Sequence, residues 1–139
     1  MNVVDSCGWL EFMGGGSNSA FFELVLFNEK ELLIPGVVVF EVCKRLRVQG
    51  YHAAVEAFLS VAERCHIAHL GPVDMAHAAK AGIDHKLALA DAIIWQTAQT
   101  HQARLYTQDA DLAGKPGVIY QSKALQNSTL TQTERPKKP

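Results

Sequence analysis

Short apolar stretches alternate along this chain with longer stretches of helical periodicity, and this alternation limits the folds that the chain can adopt. Strands separated by helices predict crossover connections between parallel strands, and therefore a sheet that helices cover on both faces. The predicted strands are residues 2–4, 32–34, 66–70, 104–107 and 118–120. The predicted helices are a brief one near 9–12 and longer ones over 20–30, 35–49, 51–63, 72–81 and 87–98. We therefore predict an α/β fold with a mostly parallel sheet of about five short strands.

Length and composition favour a single globular domain. The chain has 139 residues, of which 48% are apolar and 19% are charged, enough for a hydrophobic core. From about residue 126 the sequence becomes polar and rich in Pro and Lys, so we predict a folded domain over 1–125 and a disordered tail over 126–139. The net charge of −1 includes +2 on the last thirteen residues, which leaves −3 on residues 1–126. This charge excludes a strongly basic nucleic-acid-binding protein.

The sequence also carries signals about the compartment. No apolar run approaches the roughly 20 residues that cross a bilayer, and the N-terminus lacks a basic-then-apolar signal pattern. The three cysteines, Cys7, Cys43 and Cys65, are odd in number and lack paired metal-type spacing. Free thiols in a reducing compartment are the simplest interpretation. We expect a cytoplasmic protein without a membrane partner.

Acidic residues follow two of the predicted strands. Asp5 comes directly after the first strand, and Asp109 and Asp111 come after the strand at 104–107. In parallel α/β sheets, ligands bind at the carboxyl ends of the strands. If these two strands are neighbours, their acids converge at one edge of the sheet.

Two further acids lie on predicted helices. Asp91 falls on the inward stripe of the helix at 87–98, where a carboxylate requires a cation or a hydrogen-bond donor. A structural Asp held by a nearby turn or Arg is the alternative. Glu41, on the helix at 35–49, either faces the same cleft or forms an exposed ion pair with Arg45, worth a few tenths of a kcal/mol.

Several carboxylates in one cleft require a counter-charge. Two carboxylates about 4 Å apart repel by about 1 kcal/mol in water and by about 4 kcal/mol at the effective dielectric of a protein cleft. Either some of them stay protonated, or a hard divalent cation such as Mg²⁺ or Mn²⁺ lies among them. Such a site holds phosphodiester oxygens and lowers the pKa of an attacking water. The acids therefore predict nuclease chemistry.

Four segments together resemble the PIN domain family. They are Val-Val-Asp-Ser at 3–6, Pro35 followed by Phe-Glu-Val at 40–42, Asp-Ala-Ile-Ile-Trp-Gln-Thr-Ala at 91–98 and Leu-Tyr-Thr-Gln-Asp-Ala-Asp-Leu at 105–112. More narrowly, they resemble the VapC-type toxin ribonucleases of bacterial type II toxin–antitoxin pairs, over about residues 1–125. The resemblance implies a three-layer α/β/α fold. It also implies a metal-dependent endoribonuclease that hydrolyses RNA with a metal-activated water.

The same resemblance assigns roles to individual residues. The implied catalytic acids are Asp5, Glu41, Asp91 and Asp109. The implied ligands of Mg²⁺ or Mn²⁺ are Asp5, Asp91 and Asp109, with Asp111 as an auxiliary, while Glu41 holds a second ion or positions the water. Ser6 and Thr107 match hydroxyl positions that orient the acids. Lys44 and Arg45 either contact the RNA backbone or form a solvated helix face.

Partners and alternatives complete the sequence-based interpretation. The family resemblance implies a homodimer, an RNA substrate and a small antitoxin whose segment crosses the acidic cleft. Leu112 departs from the aromatic residue that is more frequent in the family.

One alternative is a noncatalytic PIN scaffold that binds RNA or protein. Another is a magnesium-binding receiver-like or phosphatase-like domain, which needs a Lys that does not follow the strand at 104–107. A cysteine nucleophile at Cys7 lacks an evident His partner.

Overall fold

The computed structural model describes residues 1–123, which contain five strands and six α-helices, with two α-helices after each of the first three strands. The strands are β1 Asn2–Val4, β2 Leu33–Pro35, β3 His66–Ala68, β4 Arg104–Thr107 and β5 Val118–Tyr120. The helices are α1 Ser6–Met13, α2 Ser19–Leu26, α3 Gly36–Val48, α4 His52–Ala62, α5 Pro72–Asp84 and α6 Leu89–Thr100. The predicted tail at 126–139 lies outside the described residues, so its disorder and the domain limit at 125 stay predictions.

Every strand pairing in the described part of the chain is parallel. β1 pairs with β4, β4 with β5, and β2 with β3. A parallel bridge between Asn2 and Leu32 connects the two groups, which gives the spatial order β3-β2-β1-β4-β5. The predicted parallel sheet of five short strands is confirmed, although a single bridge joins its two parts.

Helices cover both faces of the sheet, as the predicted three-layer α/β/α fold requires. Successive residues of a strand point to opposite faces. In β4, Leu105 is completely buried on one face, and the Tyr106 ring on the other lies 6.0 Å from the ring of Phe21 in α2. Within residues 1–123, none of the helices has the length and apolar character that crossing a bilayer demands.

Gly8 allows α1 to lie close to the sheet. A Cβ atom added at this position would come within 2.6 Å of the side chains of Phe22 and Val4, a distance that no side chain tolerates without displacement. Glycine therefore permits the close approach of α1 to β1 and α2. This contact fixes the start of α1 directly after Asp5.

The predicted C-terminal end of the second helix was wrong, whereas its start was correct to within one residue. The helix predicted over 20–30 ends at Leu26 and is followed by a 3₁₀ turn at Glu29–Glu31. Asn18 is the N-cap residue, and its side chain forms no capping hydrogen bond. The Ser19 hydroxyl donates to the carbonyl oxygens of Gly16 and Glu11, at 2.7 and 3.1 Å. Its role is to fold the glycine-rich loop.

The predicted end of the fifth helix was also wrong. The helix α5 continues through Gly82 and ends at Asp84. A Cβ at Gly82 would lie 3.4 Å from the Cβ of Ala92, at ordinary van der Waals distance, so Gly82 does not end the helix and is not required for its packing against α6. The strand predicted over 66–70 is also shorter than expected, because β3 ends at Ala68.

Candidate functional site

Asp5 lies where β1 ends and α1 begins. Its backbone N–H donates to the carbonyl of Tyr106, at 3.2 Å, so the parallel register of β1 and β4 holds it beside the end of β4. As the N-cap of α1, its carboxylate accepts the backbone N–H of Gly8, at 3.0 Å. The side chain is only 3% exposed. Asp5 is therefore a fixed and nearly buried acid at the carboxyl edge of the sheet.

Two side chains also donate hydrogen bonds to the Asp5 carboxylate. The Cys7 thiol donates to Oδ1 at 2.7 Å, and the Thr107 hydroxyl donates to Oδ2. Burial raises the pKa of Asp5 above its usual range, although these donors oppose the shift. Burial and the neighbouring Asp5 charge also raise the pKa of Cys7, which keeps the thiol protonated as a donor. Cys7 in this state is not an activated nucleophile.

Three other acids come together at the same edge. Asp91 lies in the first turn of α6, Asp109 caps the 3₁₀ turn that follows β4, and Asp111 lies within that turn. One carboxylate oxygen from each lies within 4.8 Å of the other two. The Asp109 carboxylate accepts the N–H of Asp111 at 2.9 Å. We call Asp91, Asp109 and Asp111 the acid cluster.

The electrostatics of the acid cluster are unfavourable without a counter-charge. Burial first, and then the charges of Asp109, Asp5 and Glu41, raise the pKa of Asp91 to about 7. The ion pairs found within residues 1–123 involve other acids, namely Glu31, Glu29 and Asp84. The donors of the acid cluster are all carboxylate oxygens, which suit a hard divalent cation such as Mg²⁺ or Mn²⁺.

Glu41 faces the site from α3 and is held there by α1. The Ser6 hydroxyl donates to its carboxylate at 2.9 Å, and its charge contributes to the raised pKa of Asp91. The Glu41–Arg45 ion pair that helical spacing allows does not form within the described residues. The structure thus brings Glu41 near the acid cluster, although not into it.

Lys44 and Arg45, the two predicted RNA-contact residues, have different neighbours on the surface of α3. Both side chains are exposed. The Lys44 ammonium lies 5.7 Å from the centre of the Phe40 ring, whereas Arg45 lines a groove that also contains Cys7 and Gln108. The two adjacent cations therefore have different surroundings, and Arg45 alone shares a cavity with residues of the site.

Three polar residues of the site were missed from the sequence. Cys7 was considered as a nucleophile and not as a hydrogen-bond donor, although its position two residues after Asp5 was the available signal. Asn18 and Gln108 are both buried, and the Asn18 amide donates to the Gln108 carbonyl at 2.9 Å and to the backbone oxygen of Ser122 at 3.0 Å. This bond links residues far apart in the chain, so no local pattern indicates it.

Replacing Thr107 by Val is expected to destabilise the fold and to loosen the site. The Thr107 hydroxyl is completely buried, donates to Asp5 and accepts the Asp109 N–H at 2.9 Å. Valine would leave a buried carboxylate oxygen and a backbone N–H without this partner, at a cost of about 1–3 kcal/mol. Urea unfolding measures this loss. Thr107→Ser keeps the hydroxyl and should lose much less, so equal losses for the two variants would contradict this role of the hydrogen bonds.

Comparison with solved structures shows what this chain resembles. A toxin–antitoxin complex from Klebsiella pneumoniae is similar with a TM-score of 0.71 and 22% identity, covering 86% of this chain and 96% of that one. The sarcin-ricin loop cleaving toxin VapC20 from Mycobacterium tuberculosis has a TM-score of 0.72 and 15% identity, covering 85% and 97%. VapBC2 from Rickettsia felis, bound to a DNA fragment from its promoter, has a TM-score of 0.64 and 14% identity, covering 87% and 97%. At these identities the likeness establishes the fold.

The sequence comparisons define the family. No curated protein matched the chain at a significant level. The model of the PIN domain matches residues 3–117, a range that begins in β1, ends just before β5, and includes Asp5, Glu41 and the whole acid cluster. The chain therefore belongs to the PIN domain family.

Proposed function

We propose that this protein is a metal-dependent endoribonuclease and the toxin of a type II toxin–antitoxin pair. The observation that carries the proposal is the acid cluster, in which three carboxylates approach within 4.8 Å of one another. Membership of the PIN domain family and the likeness to a sarcin-ricin loop cleaving toxin support this assignment. RNA is accordingly the proposed substrate.

The acid cluster fits Mg²⁺ or Mn²⁺, and we assign Asp91, Asp109 and Asp111 as its main ligands. When bound, such an ion supplies Lewis-acid chemistry, polarising a phosphoryl oxygen and lowering the pKa of a water. Asp5 is the fourth proposed ligand. Its oxygens already accept hydrogen bonds from Gly8, Cys7 and Thr107, so it would contribute one remaining lone pair and its negative charge.

Glu41 and its neighbours would orient the reactants. The Ser6 hydroxyl fixes the Glu41 carboxylate, which would accept a hydrogen bond from the attacking water and remove its proton. Attack would form a bond from the water oxygen to phosphorus and break the bond from phosphorus to the leaving ribose oxygen, which would take a proton from solvent to become a hydroxyl. Thr107 joins Asp5 to the backbone of Asp109, and so keeps the two ends of β1 and β4 in register during the reaction.

An antitoxin and a second copy of the chain are the proposed protein partners. Two of the similar structures contain toxin–antitoxin assemblies. An apolar groove of about 240 Å³ between α1, α2 and α4, lined by Trp9, Phe12 and Phe27, suits an apolar antitoxin segment. Val73, Ile83 and Leu89 are apolar and exposed, as expected of a homodimer contact.

The free thiols of the three cysteines fit the cytoplasm, which we propose as the location.

The direct test is cleavage of RNA by the purified chain. We expect discrete fragments from single-stranded or loop-containing RNA with Mg²⁺ or Mn²⁺, and no cleavage when EDTA removes the ions. The termini of the fragments would be identified by mass spectrometry, since attack by water leaves a phosphate on one fragment and a hydroxyl on the other. RNA binding without cleavage in the presence of either ion would favour the noncatalytic PIN scaffold instead.

A further inference from the structure

The proposed mechanism assigns no role to a groove that lies beside the acid cluster. One cavity of about 720 Å³ is lined by Cys7, Gln108, Arg45 and Tyr51, among others. A second cavity of about 500 Å³ shares Cys7, Gln108 and Lys123 and reaches Asp109 and Tyr120. Because the two cavities share these residues, they form one continuous depression that leads to the acid cluster. We call the part lined by Arg45 and Tyr51 the α3–α4 groove.

The charge of the α3–α4 groove suits a phosphate backbone. Its two cations are Arg45 and Lys123, and its acid is Glu11. The Glu11 carboxylate accepts the backbone N–H of Asn18 at 2.8 Å, so part of its charge is already compensated. The acid cluster repels RNA phosphates, and binding therefore needs cations at the flanking nucleotides. Arg45 and Lys123 lie where such compensation is required.

Tyr51 gives the groove an aromatic wall on a fixed backbone. The ring is 61% exposed, yet its backbone is fixed at the turn between α3 and α4. The N–H of Tyr51 donates to the carbonyl of Leu46 at 2.8 Å, and the N–H of Gly50 donates to that of Arg47 at 3.0 Å. Gly50 has a φ of +82°, which completes a Schellman motif. The position of Tyr51 is therefore set before any ligand binds.

We propose that the α3–α4 groove binds one unpaired nucleotide of the RNA substrate next to the scissile bond, with its base stacked on Tyr51 and its phosphate held by Arg45. An exposed aromatic ring beside cations is the combination that single-stranded nucleic acid uses. The groove's cations, Arg45 and Lys123, favour a polyanion over the apolar protein segment that the groove of Trp9, Phe12 and Phe27 suits. This assignment rests on the proposed function, because it names a subsite of the same substrate.

The test measures RNA binding in EDTA, where cleavage does not interfere. The probe is a labelled single-stranded oligoribonucleotide of about ten nucleotides, followed by fluorescence anisotropy at several salt concentrations. Tyr51→Leu should weaken binding about tenfold, whereas Tyr51→Phe, which keeps the ring, should bind like the wild type. Tyr51 is exposed, so both variants keep the fold.

Arg45 has a matched control in Arg47, which is exposed on the same helix and lines neither cavity. Arg45→Gln should weaken binding and make the slope of log affinity against log salt shallower by about 0.7, the value for one phosphate contact on a single strand. Arg47→Gln removes the same charge outside the groove and should change neither quantity. Tyr51→Leu should leave the salt slope unchanged, because stacking releases no counterion.

The outcomes separate this inference from the proposed function. RNA cleavage with wild-type binding by both Tyr51→Leu and Arg45→Gln would overturn the subsite and leave the nuclease assignment standing. Equal losses for Tyr51→Leu and Tyr51→Phe would overturn the stacking contact. If an oligoglutamate peptide of similar charge competed as well as RNA, the groove would recognise acidic peptides instead. Failure to cleave RNA, with the variant effects on binding present, would overturn the nuclease assignment alone.

Discussion

Asp91→Asn is expected to reduce the rate of RNA cleavage by a factor on the order of 10²–10³, while the fold stays intact. The substitution keeps the size and shape of the side chain and removes one of three carboxylates that lie within 4.8 Å of one another. If those acids hold a divalent cation, the loss of a ligand removes several kcal/mol of charge stabilisation in the transition state. Initial rates at saturating Mg²⁺ or Mn²⁺ measure the effect.

Asp84→Asn is the matched control for Asp91→Asn. Asp84 lies at the end of α5 and pairs with Lys80 on the exposed surface, so its amide variant should cleave RNA like the wild type. Calorimetric titration with Mn²⁺ provides a second measurement, in which Asp91→Asn should bind the ion much more weakly and Asp84→Asn should not. An Asp91→Asn protein that cleaved RNA at the wild-type rate would refute the assignment of the acid cluster as the metal site.

The meeting of the acids could be predicted from the sequence on the condition that the first strand and the strand at 104–107 are neighbours, which the structure shows. Asp5 and Asp109 follow strands that pair in parallel, with Val4 opposite Tyr106, and parallel neighbours end at the same edge of a sheet. Asp91 was identified because a carboxylate on an apolar helical stripe is costly unless it has a partner or a function. Both arguments depend on patterns along the chain, and the structure brings Asp91 and Asp109 together.

The choice of hydrogen-bond partners could not be predicted, because it depends on distances in the folded chain. Helical spacing predicted an ion pair between Glu41 and Arg45. In the structure α1 approaches α3, and Glu41 accepts a hydrogen bond from Ser6 instead. The buried Asn18–Gln108 bond spans 90 positions of sequence, so no local pattern indicates it. The sequence pattern also did not indicate the C-terminal ends of α2 at Leu26 and of α5 at Asp84.

The metal-free protein is expected to become less stable as the pH rises from about 4 to about 8. The folded-state pKa of Asp91 is about 7, above the value of 3.8 for an unperturbed Asp, so between these values the folded chain binds a proton that the unfolded chain has released. The free energy of unfolding therefore falls through this range. Burial raises the pKa of Asp5 as well, which contributes with the same sign. Because Asp91 is only half-buried, we expect a loss of about 2 kcal/mol rather than the full linkage value.

Asp91→Asn tests this origin of the pH dependence. Guanidinium unfolding in EDTA at about pH 5 and about pH 8 should show a smaller difference for Asp91→Asn than for the wild type, with the variant the more stable at the higher pH. Asp84→Asn should follow the wild type. The same repulsion that destabilises the empty site favours a cation, so Mg²⁺ or Mn²⁺ should restore stability to the wild type at about pH 8 and much less to Asp91→Asn. Identical pH profiles for the wild type and Asp91→Asn would show that Asp91 is ionised at neutral pH and that the acid cluster does not need a counter-charge.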